Sequence, residues 1–299
     1  MQALWMIAGS FFFATMAVCV KFASEWFTAS ELIFYRGVFG ILFMWLLARH
    51  QGIVLRTQYA TMHAWRSMVG VISMLAWFYA LARLPLATAM TLNYMSSVWV
   101  AAFLIGGALL AWNPRQAGAA PLRQGALLST VLAGFGGVVL MLRPSIEHDQ
   151  MLAGLVGLMS GLIAAFAYMQ VMALGKLGEP DTRTVFYFAV GSAVAGGIGM
   201  AVTGISHWDW THSLWLLPVG LLASLGQLCM TRAYSRGATL VVASLQYFGI
   251  VFGAIFGITL FGDPITLSGW AGMGLIVASG IAATVLRARA APNSPAEEH

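Results

Sequence analysis

The sequence predicts an all-α polytopic membrane protein: ten transmembrane helices as two inverted five-helix repeats, with both termini cytoplasmic. Three observations lead there. Of the 299 residues, 60% are hydrophobic and only 8% are charged, against roughly 25% charged in an ordinary soluble domain. That shortage of charge excludes a soluble globular enzyme and a nucleic-acid binder. The apolar residues form long runs without two-residue alternation, which selects helices over a barrel, since a ~30 Å hydrocarbon core takes ~20 apolar residues per helix. Finally, the chain matches itself at a shift of 153 positions.

Taken in order, the apolar runs between charge and turn residues predict helices over 3–21, 30–48, 64–82, 86–111, 124–142, 152–175, 184–203, 213–234, 238–261 and 267–287. Met1-Gln2 leads straight into the first run without a basic n-region, so that span is expected to be retained rather than cleaved. Charge orients the set. With the N-terminus inside, Arg49, Arg56, Arg66, Arg115, Arg123, Lys176, Arg183, Arg232, Arg236, Arg287 and Arg289 fall in inner loops or the tail. Only Lys21, Arg83 and Arg143 fall outside, and Arg36 lies within the second helix. This bias places both termini inside a bacterial-type plasma membrane. It also accounts for the net charge of +5 without a nucleic-acid partner. Trp26, Trp45, Trp65, Trp112, Trp208, Trp210, Trp215 and Trp270 lie near helix ends, where amphipathic rings belong. Cys19 and Cys229 fall inside apolar runs and read as small core hydrophobes.

The shift of 153 pairs Phe13-Ala14-x-Met16-x-Val18 with Phe166-Ala167-x-Met169-x-Val171, and Arg83 with Arg236. It also pairs Asn93-Tyr94 with Gln246-Tyr247 and Phe103 with Phe256, and after a short deletion Asn113-Pro114 with Asp263-Pro264. The expected units are therefore 1–145 and 146–290, followed by a disordered cytoplasmic tail at 291–299. Five spans per half is an odd number, so the second half enters the membrane inverted. Such repeats are characteristic of secondary transporters, with the substrate held near the midplane between the halves.

The run Gln246-Tyr247-Phe248 through Leu260-Phe261-Gly262-Asp263-Pro264-Ile265-Thr266, with Lys21 and Arg36, resembles the EamA family of the drug/metabolite transporter superfamily over the whole chain. Trp77-Phe78-Tyr79 and Asn93-Tyr94 are most similar to its bacterial aromatic amino-acid exporter branch, the YddG type. In the first half Asn113-Pro114 stands where that pattern has an acidic residue, and Met95-Ser96 where many relatives carry Glu-Pro. The resemblance implies export of neutral, bulky or aromatic amino acids and related metabolites by alternating access.

The residues themselves supply a compatible site. Asn93, Tyr94, Gln246 and Tyr247 can donate to a carboxylate and accept from an ammonium without carrying a buried charge; interhelical hydrogen bonding is the plainer role for them. Trp77 and Trp99 lie away from the interfacial belts, and with Tyr79 they could wall an apolar or aromatic side chain. Tyr168, Gln170 and Gln227 face the interior by the same cost argument. Arg36 reads either as a cationic anchor for a carboxylate or, as the favoured expectation, as an arginine snorkelling outward or pairing with Glu31.

Catalysis and ATP hydrolysis are not expected. All six histidines fall in loops or near helix ends, and no HExxH or P-loop pattern occurs, so neither metal nor nucleotide cofactor is implied. Glu31 is the only acid inside a predicted span, which points to facilitated efflux rather than proton coupling. The expected partners are a small-molecule substrate and the lipid bilayer, and one chain suffices. A broader drug or metabolite exporter, a nucleotide-sugar-type exchanger and a non-transporting membrane scaffold are the alternatives. A phosphate cargo should want several cations, and one Arg36 is too few.

Overall fold

The computed structural model describes residues 2–100, 103, 121–141, 151–207, 210–262 and 266–290, and no strand occurs among them. The described helices are α1 (Gln2–Ala23), α2 (Ala29–Gln51), α3 (Ala60–Arg83), α4 (Leu86–Tyr94), α5 (Pro121–Met141), α6 (Met151–Lys176), α7 (Asp181–Thr203), α8 (Leu216–Arg236), α9 (Thr239–Gln246), α10 (Phe248–Phe261) and α11 (Leu267–Ala290). A short turn, Trp210–Ser213, precedes α8. Seven helical segments among the described residues are long and apolar enough to cross a membrane, with shorter apolar stretches at Leu128–Gly137 and Leu267–Ser279. The chain is a multi-pass membrane protein. Asn113-Pro114, Asp263-Pro264, most of the second half of the predicted fourth span and the 291–299 tail lie outside the described residues.

Local chemistry sets the helix ends. Thr28 and Glu31 form a reciprocal capping box at the start of α2, and Gly52 closes that helix in the left-handed region at φ +67°. Glu31 also accepts from the Ser206 amide at 2.8 Å and the Ser206 hydroxyl at 2.7 Å, which ties the start of α2 to the loop after α7. The opposite end of the bundle carries more charge. Asp181, at the start of α7, pairs with Arg232 at 3.3 Å and Arg236 at 3.1 Å, both on α8. Glu179 accepts from Thr57 at 2.5 Å and from Arg183 at 2.8 Å. His63 Nε2 stands 3.8 Å from Glu179, and the imidazole stacks on Tyr187.

The two halves pack reciprocally. α1 lies on α8 as α6 lies on α3, α1 on α10 as α6 on α4, while α2 pairs with α7 and α5 with α11. Helix ends follow the same register: Ala23 and Lys176, Arg83 and Arg236, and the starts at Leu86 and Thr239 are each 153 positions apart. The α2–α7 crossing is close because a Cβ at Gly37 would run into the Ala193 backbone and one at Gly196 into the Phe34 backbone. Without a hydrophobic force between helices in lipid, such small-residue contacts carry the packing.

Two predicted helices are interrupted. The sequence predicts single helices over 86–111 and 238–261, yet α4 stops at Tyr94, a turn falls at Met95, and the chain is helical again at 96–100. In the second half Tyr247 separates α9 from α10. Close interhelical contacts flank the first of them. The Tyr94 ring occupies the space a Cβ at Gly249 would need, and Gly161 admits the carbonyls of Leu92 and Asn93. Hydropathy reports the length of an apolar run and is blind to such breaks.

Candidate functional site

A pocket of about 60 Å³ lies between α1, α2, α3, α4, α6, α7 and α8. Its apolar wall includes Phe13, Met16, Met74, Trp77 and Met230. Met74 with Gln227, and Trp77 with Met230, are related by the shift of 153, so α3 and α8 contribute equivalent turns to the lining.

Five of the sequence-predicted residues meet here: Trp77, Asn93, Tyr94, Tyr168 and Gln227. Asn93 Nδ2 donates to Ser160 Oγ at 3.0 Å. The Trp77 Nε1, Tyr94 hydroxyl and Gln227 Nε2 groups are buried without a hydrogen-bond partner.

The other five do not line it. Gln246 is 1% exposed and held between helices: its Oε1 accepts from Ser97 at 3.0 Å and from Tyr234 at 2.8 Å, while its Nε2 donates to Tyr168 at 3.3 Å. Tyr247 is packed against Gly134 on α5. Tyr79 lies under Arg83, and Trp99 stacks with Phe103. Gln170 is half-buried, with its Oε1 unpartnered.

The cavity also holds two residues that the sequence reading placed elsewhere. Arg36 neither snorkels outward nor pairs with Glu31. It is 6% exposed, its Nη1 donates to Ser192 Oγ at 3.4 Å, and Glu31 is occupied by Thr28 and Ser206. Ser192 lies at the middle of α7, and Arg36 reaches it because Gly37 brings α2 onto α7. The charge pattern assigns Arg66 to the inner loops, but it is 2% exposed inside α3.

Both guanidiniums rest against one ring. Arg66 Cζ lies 3.8 Å and Arg36 Cζ 5.0 Å from the Phe188 centroid. Arg36 Nε, Arg66 Nε and Arg66 Nη1 have no hydrogen-bond partner, and no carboxylate pairs with either side chain among the described residues. The signal for Arg66 was present in the sequence: it falls inside the predicted 64–82 span, where the cost of a charge applies as it does to Arg36. Its place at the start of that span made it look like a loop cation. Among the described residues no three His, Cys, Asp or Glu side chains gather as metal ligands.

No protein-family model matches the chain. It is 30% identical over 271 residues to the pseudopaline exporter CntI of Pseudomonas aeruginosa, covering 88% of this chain and 89% of that one. An uncharacterized transporter of Helicobacter pylori is 28% identical over 278 residues, covering 90% and 89% of the two chains. A riboflavin transporter of Rhizobium johnstonii is 26% identical over 282 residues, covering 93% and 89%. A solved crystal structure superimposes with a TM-score of 0.75 over 97% of this chain and 98% of its own, at 17% identity, which speaks for the fold alone. With its helices and central cavity, the chain belongs to the family of membrane transporters that includes the pseudopaline exporter CntI.

Proposed function

We propose that the chain is an EamA-type secondary transporter that exports a small metabolite with an acid group and a bulky or aromatic body, amino acids among them, by alternating access. The observation that carries this is the cavity itself. Its lining combines aromatic and methionine side chains with unpartnered donors on Arg36, Arg66, Trp77 and Gln227. Buried donors without partners are costly, and a carboxylate-bearing substrate would satisfy them. The relatives' names span a pseudopaline exporter and a riboflavin transporter, so the cargo is argued from the lining rather than transferred.

The reciprocal packing and matched helix ends support two repeats, and the odd number of predicted spans per half supports their inversion, with both termini at the inner face of a plasma membrane. The repeat-related polar pairs stand in different surroundings. Asn93-Tyr94 lines the cavity, whereas Gln246 is locked by three side-chain hydrogen bonds. Inverted repeats that exchange conformations would alternate these two arrangements. A nucleotide-sugar or other phosphate cargo is the second reading, and Arg66 favours it by supplying a second cation.

The test is uptake of labelled phenylalanine, tryptophan and threonine into proteoliposomes, with and without a pH gradient, against empty liposomes. Saturable uptake with aromatic preference is the expected result. Folded protein that carries no amino acid would remove the amino-acid reading, and a rate that tracks pH at fixed substrate gradient would remove uncoupled efflux.

A further inference from the structure

We infer that Arg36 and Arg66 form a dianion subsite, so that the transporter proposed above carries a doubly charged acid with an apolar body in preference to a neutral amino acid. Both guanidinium carbons lie within 5.0 Å of the Phe188 centroid, at 5.0 and 3.8 Å, so they stand no more than 8.8 Å apart, the sum of the two. Any separation within that bound can be bridged by two acidic groups on one small molecule, each met by its own planar fork of donors. Ser192 accepts from Arg36, and Gln227 lines the same pocket as the pair.

Charge balance argues for two negative groups rather than one. The acids packed near these helices are engaged elsewhere: Glu31 with Thr28 and Ser206, Glu179 with Thr57 and Arg183, Asp181 with Arg232, Arg236 and Ser235. No carboxylate is among the residues lining the cavity. Two buried cations therefore face it uncompensated, and one carboxylate would neutralise only one of them.

An amino acid's ammonium group has no anion to meet among those residues. The Phe188 face that could serve it by a cation–π contact is already taken by Arg66. The pair is also confined to the first half of the chain. The positions related to Arg36 and Arg66 by the shift of 153 are Ala189 and Val219, so repeat symmetry does not explain the two charges.

A dicarboxylate and a phosphate monoester share this chemistry, and the probes separate them. Saturable binding of labelled phenylsuccinate to the purified full-length protein is displaced by unlabelled phenylsuccinate, phenyl phosphate or phenylalanine. The dianions should compete at least about tenfold better than phenylalanine, and Arg36→Gln or Arg66→Gln should each remove that preference, with Arg66→Lys restoring part of it. Phenylsuccinate ahead of phenyl phosphate assigns a dicarboxylate, and the reverse order a phosphate.

Phenylalanine competing as well as either dianion in the wild type would overturn the subsite, as would an unchanged preference in monodisperse Arg66→Gln protein. The wild-type comparison needs no variant, so misfolding cannot obscure the answer. If proteoliposomes carry phenylalanine but not phenylsuccinate, the subsite falls and the transporter stands. If phenylsuccinate binds with the stated preference and nothing is carried, the subsite stands and the transport reading falls.

Discussion

At Gly70 an added Cβ would meet Arg66 Nη1 at 2.7 Å and the edge of the Phe188 ring at 2.8 Å. The glycine is what lets the guanidinium lie on the ring one turn further along α3. Gly70→Ala should push Arg66 off Phe188 and remove a desolvated cation–π contact worth about 2 kcal/mol. The expected effect is a roughly tenfold rise in KM for the transported anion with a fall of a few degrees in melting temperature, read by proteoliposome uptake and a thermal melt. Asn93 offers a second check. If its amide only braced Ser160, Asn93→Ala would cost about 0.6 kcal/mol. A substrate contact predicts a larger rise in KM in protein that still melts normally.

Under the alternating-access proposal, the interruptions at Met95 and Tyr247 are where α4 and α9 would reorient. Ser97 donates to Gln246 across the two breaks at 3.0 Å, and Tyr234 and Tyr168 complete the latch. With about 0.6 kcal/mol for each interhelical hydrogen bond in a membrane protein, these three contacts together hold the conformer by about 2 kcal/mol. Gln246→Ala should therefore change kcat more than KM, because the substrate does not meet this side chain in the present arrangement. Equal rises in KM for Gln246→Ala and Asn93→Ala would instead return Gln246 to the cavity. The α2–α7 crossing has a different part: its glycines keep the helices in close contact, so that Arg36 can reach Ser192.

Considered as a whole molecule, a transporter that moves a dianion without a coupling ion responds to voltage. Each elementary charge is worth about 2.3 kcal/mol per 100 mV of membrane potential. Uptake of phenylsuccinate into proteoliposomes should accelerate when the interior is made positive with potassium and valinomycin, whereas uptake of neutral phenylalanine should not. A phenylsuccinate rate indifferent to potential would require a compensating ion. His63 and Glu179, buried together at one end of the bundle, would then be the groups to examine.

The membrane class and its long apolar helices were legible in the sequence because they follow from composition and run length, which tertiary contacts do not alter. So were Trp77, Asn93, Tyr94, Tyr168 and Gln227 as interior polar or aromatic groups, since each is costly to turn toward lipid. Which of the candidates share one cavity was decided only by the tertiary structure. Asn93 and Gln246 are related by the 153-residue shift in the sequence, yet Ser97, Tyr234 and Tyr168 converge on Gln246, which does not line the pocket. Arg36 and Arg66 belong to different helices, 30 positions apart in the chain. They become a pair because Gly37 seats α2 on α7, Gly70 clears the face of α3, and both guanidiniums meet Phe188. That meeting depends on backbone approach between helices, a quantity that hydropathy and spacing do not contain.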